Sequence, residues 1–236
     1  MPDKVIVLDV WGDYAHFKKI YTTSSPLTYS FPPRTAISGL IGAIIGLDKE
    51  DYFRHFLRKD ARIGCKIIKP IKKIRIGENH LNADNIKNMH LIKNRNPTRR
   101  EFIKDPKYRI YFSHSDETIY DNLKALLSNH QSIYTPCLGL SQLICNFNYV
   151  GEFRLRSVGE GPHAIGSVVP SKCIISPEFE EGKEYFSETL PNEMNDGREV
   201  TDYSEILFER NGKEIRAKAR DLWEVENDGH ERIAFL

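Results

Sequence analysis

Tyr14, His16 and Lys18 alternate along one short segment, so a strand there would set a phenol, an imidazole and an ammonium on one face. Metal-independent RNA cleavage uses such a set: a base for the 2′-hydroxyl, an acid for the leaving oxygen and a cation for the phosphorane. Adjacency on a strand does not by itself make a convergent pocket. The plainer reading of the same residues is the edge of an RNA platform, with no catalytic residue. His114, between a strand end and a helix cap, reads as structural. His130 follows the end of a helix, where a histidine serves the terminal carbonyls. The four cysteines, Cys65, Cys137, Cys145 and Cys173, form no CxxC pair and no metal-type cluster, which predicts free thiols in a reducing cytoplasm. No phosphate-binding Gly-Lys-Ser/Thr loop occurs. Neither a metal nor a cofactor is expected.

A formal net charge of +1 for 236 residues hides a strong division. From Arg62 to Arg109 there are 14 Lys or Arg against 4 Asp or Glu, whereas from Ile175 to Leu236 there are 8 against 17. A solvated charged face is the ordinary explanation of either segment alone. A segregated basic segment is also what a polyanion requires, because phosphate neutralisation and counterion release supply sequence-independent affinity. Candidate phosphate contacts there are Lys72, Lys73, Arg75, Lys93, Arg95, Arg99, Arg100 and Arg109, with His16, Lys18 and Lys19 beside them. Tyr108 and Tyr111 could stack bases, with ordinary core packing the alternative for one of them.

The elements that must hold these residues follow from periodicity. Lys4–Trp11 reads as a strand, with Tyr14–Ile20 an extended continuation. On a helical wheel Ser38, Gly39, Gly42, Ala43 and Gly46 share one side and Ile37, Leu40, Ile41, Ile44, Ile45 and Leu47 the other. Each helical glycine costs roughly 1 kcal/mol against alanine, so this face needs a close neighbour in return. Pro32 and Pro33 suit the first turn, and Arg34 with Thr35 at that N-terminus could hold a phosphate. Further predicted pieces are a short helix within Glu50–Lys59, strands at Arg62–Ile71 and Tyr108–Phe112, an amphipathic helix at Asp116–Asn129, and a strand around Phe147–Leu155. The order β-α-β-β-α-β predicts an α+β, ferredoxin-like or RRM-type domain over residues 1–160. Between its second and third strands lies Lys72–Lys107, too long for a turn and rich in Lys, Arg and Asn. For residues 161–236 the sequence predicts a small antiparallel β appendage joined through the polar stretch Pro177–Asp202. Its hairpins are Glu205–Arg220 about Asn211-Gly212, and Leu222–Phe235 about Asp228-Gly229. Val5–Leu8 is too short an apolar run for a signal peptide, and the glycine-faced helix is about half a membrane span.

The string Pro32–Leu47 (PPRTAISGLIGAIIGL), following Tyr14–Lys19, resembles the N-terminal signature of the Cas five family of CRISPR-associated RAMP proteins. Arg99–Phe112 (RREFIKDPKYRIYF) and Tyr134–Ser141 (YTPCLGLS) are similar to the family in a supporting way. Gly159–Gly166 departs from the usual glycine-rich spacing of RAMP proteins. The resemblance implies a RAMP fold in which residues 72–107 form an inserted β-hairpin thumb. It further implies a non-catalytic subunit of a type I Cascade complex, with subtype I-B suggested. Such a subunit grips the 5′ tag of the CRISPR RNA, contacts the Cas seven backbone subunit and lies beside the large subunit, with no membrane involved. Two other readings stand beside this one: an endoribonuclease that matures CRISPR RNA, as some relatives do, and a protein-interaction module that binds no RNA.

Overall fold

Val5 to Val10 are all buried, the signature of a strand covered on both faces, and Lys4–Trp11 (β1) is the centre of the largest sheet. The computed structural model describes residues 3–22, 24–81, 95–195, 197–227 and 229–236. After β1 come Tyr14–Ala15 (β2), helix Arg34–Ile45 (α1), the short helix Tyr52–His55 (α2), and Ala61–Ile67 (β3). Lys73–Leu81 (β4) and Arg95–Lys104 (β5) form a hairpin, followed by Lys107–His114 (β6), helix Glu117–Ser128 (α3) and Asn146–Val158 (β7). The remaining strands are Gly161–Ile165 (β8), Val169–Pro170 (β9), Ile174–Glu178 (β10), Tyr185–Met194 (β11), Val200–Glu209 (β12), Ile215–Ala219 (β13), Leu222–Val225 (β14) and Glu231–Ile233 (β15). Strand outweighs helix more heavily than the α+β expectation implied.

The main sheet runs β15-β14-β7-β1-β6-β3, and every neighbouring pair is antiparallel. Both α1 and α3 pack over one face, where Ile6, Leu8, Val10, Ile63, Ile110 and Phe112 meet Ile37, Ile41, Ile44, Leu123 and Leu127 in one apolar cluster. Each such fully buried side chain contributes roughly 1.5–3 kcal/mol. Helix α3 starts where the sequence places it, since the Asp116 carboxylate accepts the Thr118 N–H at 2.8 Å. Helix α1 begins one residue after the prolines, with Pro33 at its N-cap, and ends on Gly46 at φ 80°. The nearest neighbours of its glycine face are side chains: a Cβ on Gly42 would lie 3.2 Å from the Tyr52 Cβ.

After residue 160 the hairpin expected at Leu222–Phe235 is present as β14–β15, and the one expected at Glu205–Arg220 is not. Strand β14 pairs with β7, so the β14–β15 hairpin extends the main sheet. Asn211-Gly212 does not close a hairpin, because β12 pairs with β11 and β9 while β13 pairs with β10 and β8. The physical reason lies at Gly212, which has φ 75° and whose Cβ would run into the Ile67 carbonyl oxygen. The glycine lets the chain cross tightly over the end of β3 on its way between two sheets. Glu209 stabilises the crossing by accepting the Asn211 and Lys213 backbone N–H groups, each at 2.8 Å.

Candidate nucleic-acid interface

The β4–β5 register sorts the basic residues by face. Arg75 lies opposite Glu101, Gly77 opposite Arg99 and Leu81 opposite Arg95. Because side chains alternate along a strand, Lys73, Arg75, Arg95 and Arg99 share one face, while Arg100, Glu78 and His80 share the other. Arg75, Arg95 and Arg99 are exposed. None of the three pairs with a carboxylate among the described residues. On the opposite face Arg100 donates from Nε to Glu78 Oε2 at 2.6 Å, and His80 Nε2 stands 3.2 Å from the same oxygen. Lys72 is exposed just before β4. Lys93 lies outside the described residues, as do Lys87 and the asparagines at 82, 85, 88 and 94.

The hairpin is joined to the body through β2, whose Tyr14 and Ala15 pair with Lys104 and Ile103. Strand β2 is only 2 residues long, so the alternation expected for Tyr14, His16 and Lys18 stops before it can align them. His16 turns inward and is 1% exposed. Its backbone N–H donates to the Leu138 carbonyl at 3.0 Å, and its ring lies 5.7 Å from that of Phe102. Nδ1 sits 2.7 Å from the Glu101 carbonyl oxygen, an acceptor, which assigns the ring proton to Nδ1. Nε2 then faces Arg100 Nη1 at 3.5 Å. Burial pushes the His16 pKa below its ordinary 6.5, outweighing the Glu101 hydrogen bond, and Arg100 adds to the lowering. Gly139, at φ 98°, closes over this histidine, and a Cβ there would run into the His16 carbonyl oxygen. Lys18 remains exposed and Tyr14 half-buried. The three groups therefore do not converge, and His16 is a clamped structural residue with no surface for a phosphate.

Several other predicted contacts are corrected by burial. Arg34 is 2% exposed and donates to the carbonyls of Ala61 at 2.9 Å and Asn192 at 3.4 Å. Burial pulls its pKa down to about 10. The first turn of α1 is covered by β11, so its N-terminus is closed to an anion. Thr35 lies half-buried at the same contact, lining a crevice of about 10 Å³ with Phe53 and Phe56. Tyr108 and Tyr111 are 1% and 0% exposed, with hydroxyls on the Ser30 carbonyl at 3.1 Å and on Glu231 at 2.6 Å. Neither can stack a base. Arg109 is held bidentate by Asp9 at 2.7 and 3.1 Å, geometry that occupies its fork.

Lys19 and Lys73 converge on Glu188 of β11, at 3.1 and 3.5 Å. For Lys19 the charge and hydrogen bond of Glu188 outweigh burial and raise the pKa. The sequence reading missed Glu188 because it took Pro177–Asp202 for a polar connector. No apolar period-two run marked the strand, because Glu188 stands between Phe186 and Leu190. His114 is structural as expected, bonded through Nε2 to the His55 carbonyl and through Nδ1 to the Asp116 N–H. His130 serves the helix end through its backbone N–H on Leu127, while its ring stacks on Phe147.

The four cysteines are free thiols. Among the described residues no three His, Cys, Asp or Glu side chains are placed to hold a metal ion. No helix among them is long and apolar enough to cross a membrane.

A family profile described as CRISPR-associated protein (Cas_Cas5) matches residues 5–216. No curated protein sequence matches the chain. Among solved structures, "Crystal structure of a CRISPR protein from Archaeoglobus fulgidus" superimposes with a TM-score of 0.60 at 15% identity, covering 97% of both chains. A chain of "CRISPR RNA-guided surveillance complex" gives 0.51 at 12% identity, covering 92% of both chains. A chain of "Cryo-EM structure of the Type III-B Cmr-beta bound to cognate target RNA and AMPPnP, state 1" also gives 0.51, at 9% identity, covering 90% of this chain and 86% of that one. At these identities the structural likenesses speak for the fold.

Proposed function

The chain belongs to the CRISPR-associated Cas_Cas5 family, and from that premise we propose that it is a non-catalytic RNA-binding subunit of a type I, Cascade-type interference complex. In this reading it works in the cytoplasm, holds the 5′ tag of the CRISPR RNA, and contacts the Cas seven backbone subunit and the large subunit. The observation that carries the proposal is the arginine face of the β4–β5 hairpin. Arg75, Arg95 and Arg99 are exposed on one face, whereas Lys73 and Arg100 of the same hairpin are engaged by carboxylates. Arginine's planar fork suits phosphate, and a row of cations that form no salt bridge among the described residues suits a chain of phosphates. The hairpin thus takes the role of the thumb. The order β7-β1-β6-β3, linked as β-α-β-β-α-β, supports the ferredoxin-like reading of the domain that carries it. The residues after 160 are assigned to a β-rich C-terminal part that backs the hairpin through Glu188.

A nuclease reading would need His16 within reach of a 2′-hydroxyl, and its burial argues for the binding role. Incubating the purified protein with its cognate repeat RNA in EDTA tests the proposal. Retention of RNA without new products is expected, and His16→Ala should leave the product pattern unchanged. Cyclic-phosphate products from the wild type that vanish in His16→Ala would overturn it.

A further inference from the structure

Between the base of the β4–β5 hairpin and strands β11 and β12 lies a cleft of about 380 Å³. Phe186 lines it and packs on Phe208, the ring centroids 5.9 Å apart and the planes 24° from parallel. Phe208 is buried, yet Phe186 remains 47% exposed. A large aromatic ring held flat by a buried one and left open to solvent is a platform for another planar group.

The charges around the cleft say which kind of group. Lys73 faces both Glu188 at 3.5 Å and Glu101 at 3.6 Å, and Arg210 pairs with Glu184 at 2.9 Å. Glu188 in turn accepts the Ser30 N–H at 2.9 Å and the Ser30 hydroxyl at 3.0 Å. The cations there are matched by carboxylates, so the cleft offers little net pull on a phosphate. Its polar groups satisfy one another and leave few free to read a base edge. A neutral, flat, apolar-faced guest fits both facts. The exposed arginines lie next door, because Lys73 at the rim belongs to the same hairpin face as Arg75, Arg99 and Arg95.

We propose that this cleft receives one unpaired base of the bound RNA, stacked on Phe186, while the backbone phosphates on either side follow the arginines of the hairpin. The inference rests on the RNA-binding reading above. Because the contact is through the π-face, it tolerates any base and requires only that one be present.

The test uses the full chain and a synthetic single-stranded RNA carrying the repeat-derived 5′ tag. In a companion set of RNAs a single abasic site is moved along the tag. Phe186→Leu keeps apolar bulk at a half-exposed position and should leave the thermal midpoint unchanged. It should weaken RNA binding by about 5- to 150-fold, the effect of losing one base–aromatic stack, without altering the salt dependence. One abasic position should cost the wild type a similar factor and cost Phe186→Leu nothing more, whereas exchanging the base there should matter far less. Equal affinity of Phe186→Leu and wild type, with wild type binding RNA in a salt-dependent way, would overturn the stacked base and spare the RNA-binding reading. A wild type that binds no RNA would bring down both.

Discussion

Arg99 and Arg100 are neighbours in sequence and opposites in circumstance, and the pair stands for two regions of the molecule. In the body of the fold Arg34 and Arg109, and on the inner face of the hairpin Arg100, are bound to carbonyls or carboxylates. On the outer face of the hairpin Arg75, Arg95 and Arg99 are exposed and pair with no carboxylate among the described residues. The same residue type thus serves as internal cement in one region and as unspent charge in the other. What decides is strand register, which alternates the two environments residue by residue. Net charge along the sequence cannot separate them, because it counts both alike.

The largest effect that would sharpen this contrast is expected at Arg34. Arg34→Ala leaves a cavity and unpaired carbonyls, a loss of about 3 kcal/mol, which corresponds to a thermal midpoint lower by roughly 6–12 °C for a chain of this size. The RNA salt dependence of the folded protein should not move. A midpoint within a degree of the wild type would show that the buried guanidinium is not structural. Next comes the neighbouring pair. Arg100→Ala removes a charged hydrogen bond at a mostly buried site and should cost about 1–2 kcal/mol. Arg99→Ala should stay within about 0.5 kcal/mol yet weaken RNA binding. Thermal melts and RNA titrations of the two variants side by side would break the comparison if their profiles were interchangeable.

The smallest effect concerns pH. His16 is held neutral by burial, so its folded pKa lies below the ordinary 6.5. As pH falls through 6.5 the unfolded chain takes up a proton and the folded chain does not. Stability should therefore decline below that point and level off once the folded pKa is passed. In His16→Gln this component of the pH dependence should vanish. A wild-type profile that rises between neutrality and pH 6, with the His16→Gln profile parallel to it, would contradict the buried neutral imidazole.

Much of the frame was legible because periodicity reports burial. The run from Val5 to Val10, the stripe of α3 and the spacing of the α1 isoleucines each announce the surface they bury. The glycine face of α1 announced a close neighbour but not its identity, since a tyrosine ring and a backbone leave the same vacancy. Asn211-Gly212 announced a turn, yet turn chemistry does not say whether the flanking strands pair with each other. Strand β11 was invisible because Glu188 and Asn192 break its apolar alternation, and their burial depends on Lys19, Ser30, Ser204 and the Arg34 guanidinium, far away in sequence. Arg34, Tyr108 and His16 were misplaced for the same reason. Their polar atoms find partners on other elements, and no local pattern reveals that.

The exposed arginine face is tested most directly by the salt dependence of RNA affinity for Arg75→Ala/Arg95→Ala/Arg99→Ala. For single-stranded RNA each lost phosphate contact lowers the slope of log affinity against log salt by about 0.7, so the triple variant should lose roughly 2. Tag and unrelated RNA should weaken alike, because phosphate contacts position the chain without reading it, and the thermal midpoint should hold. An unchanged slope in a folded triple variant would contradict the RNA-gripping hairpin and leave that face to a protein neighbour.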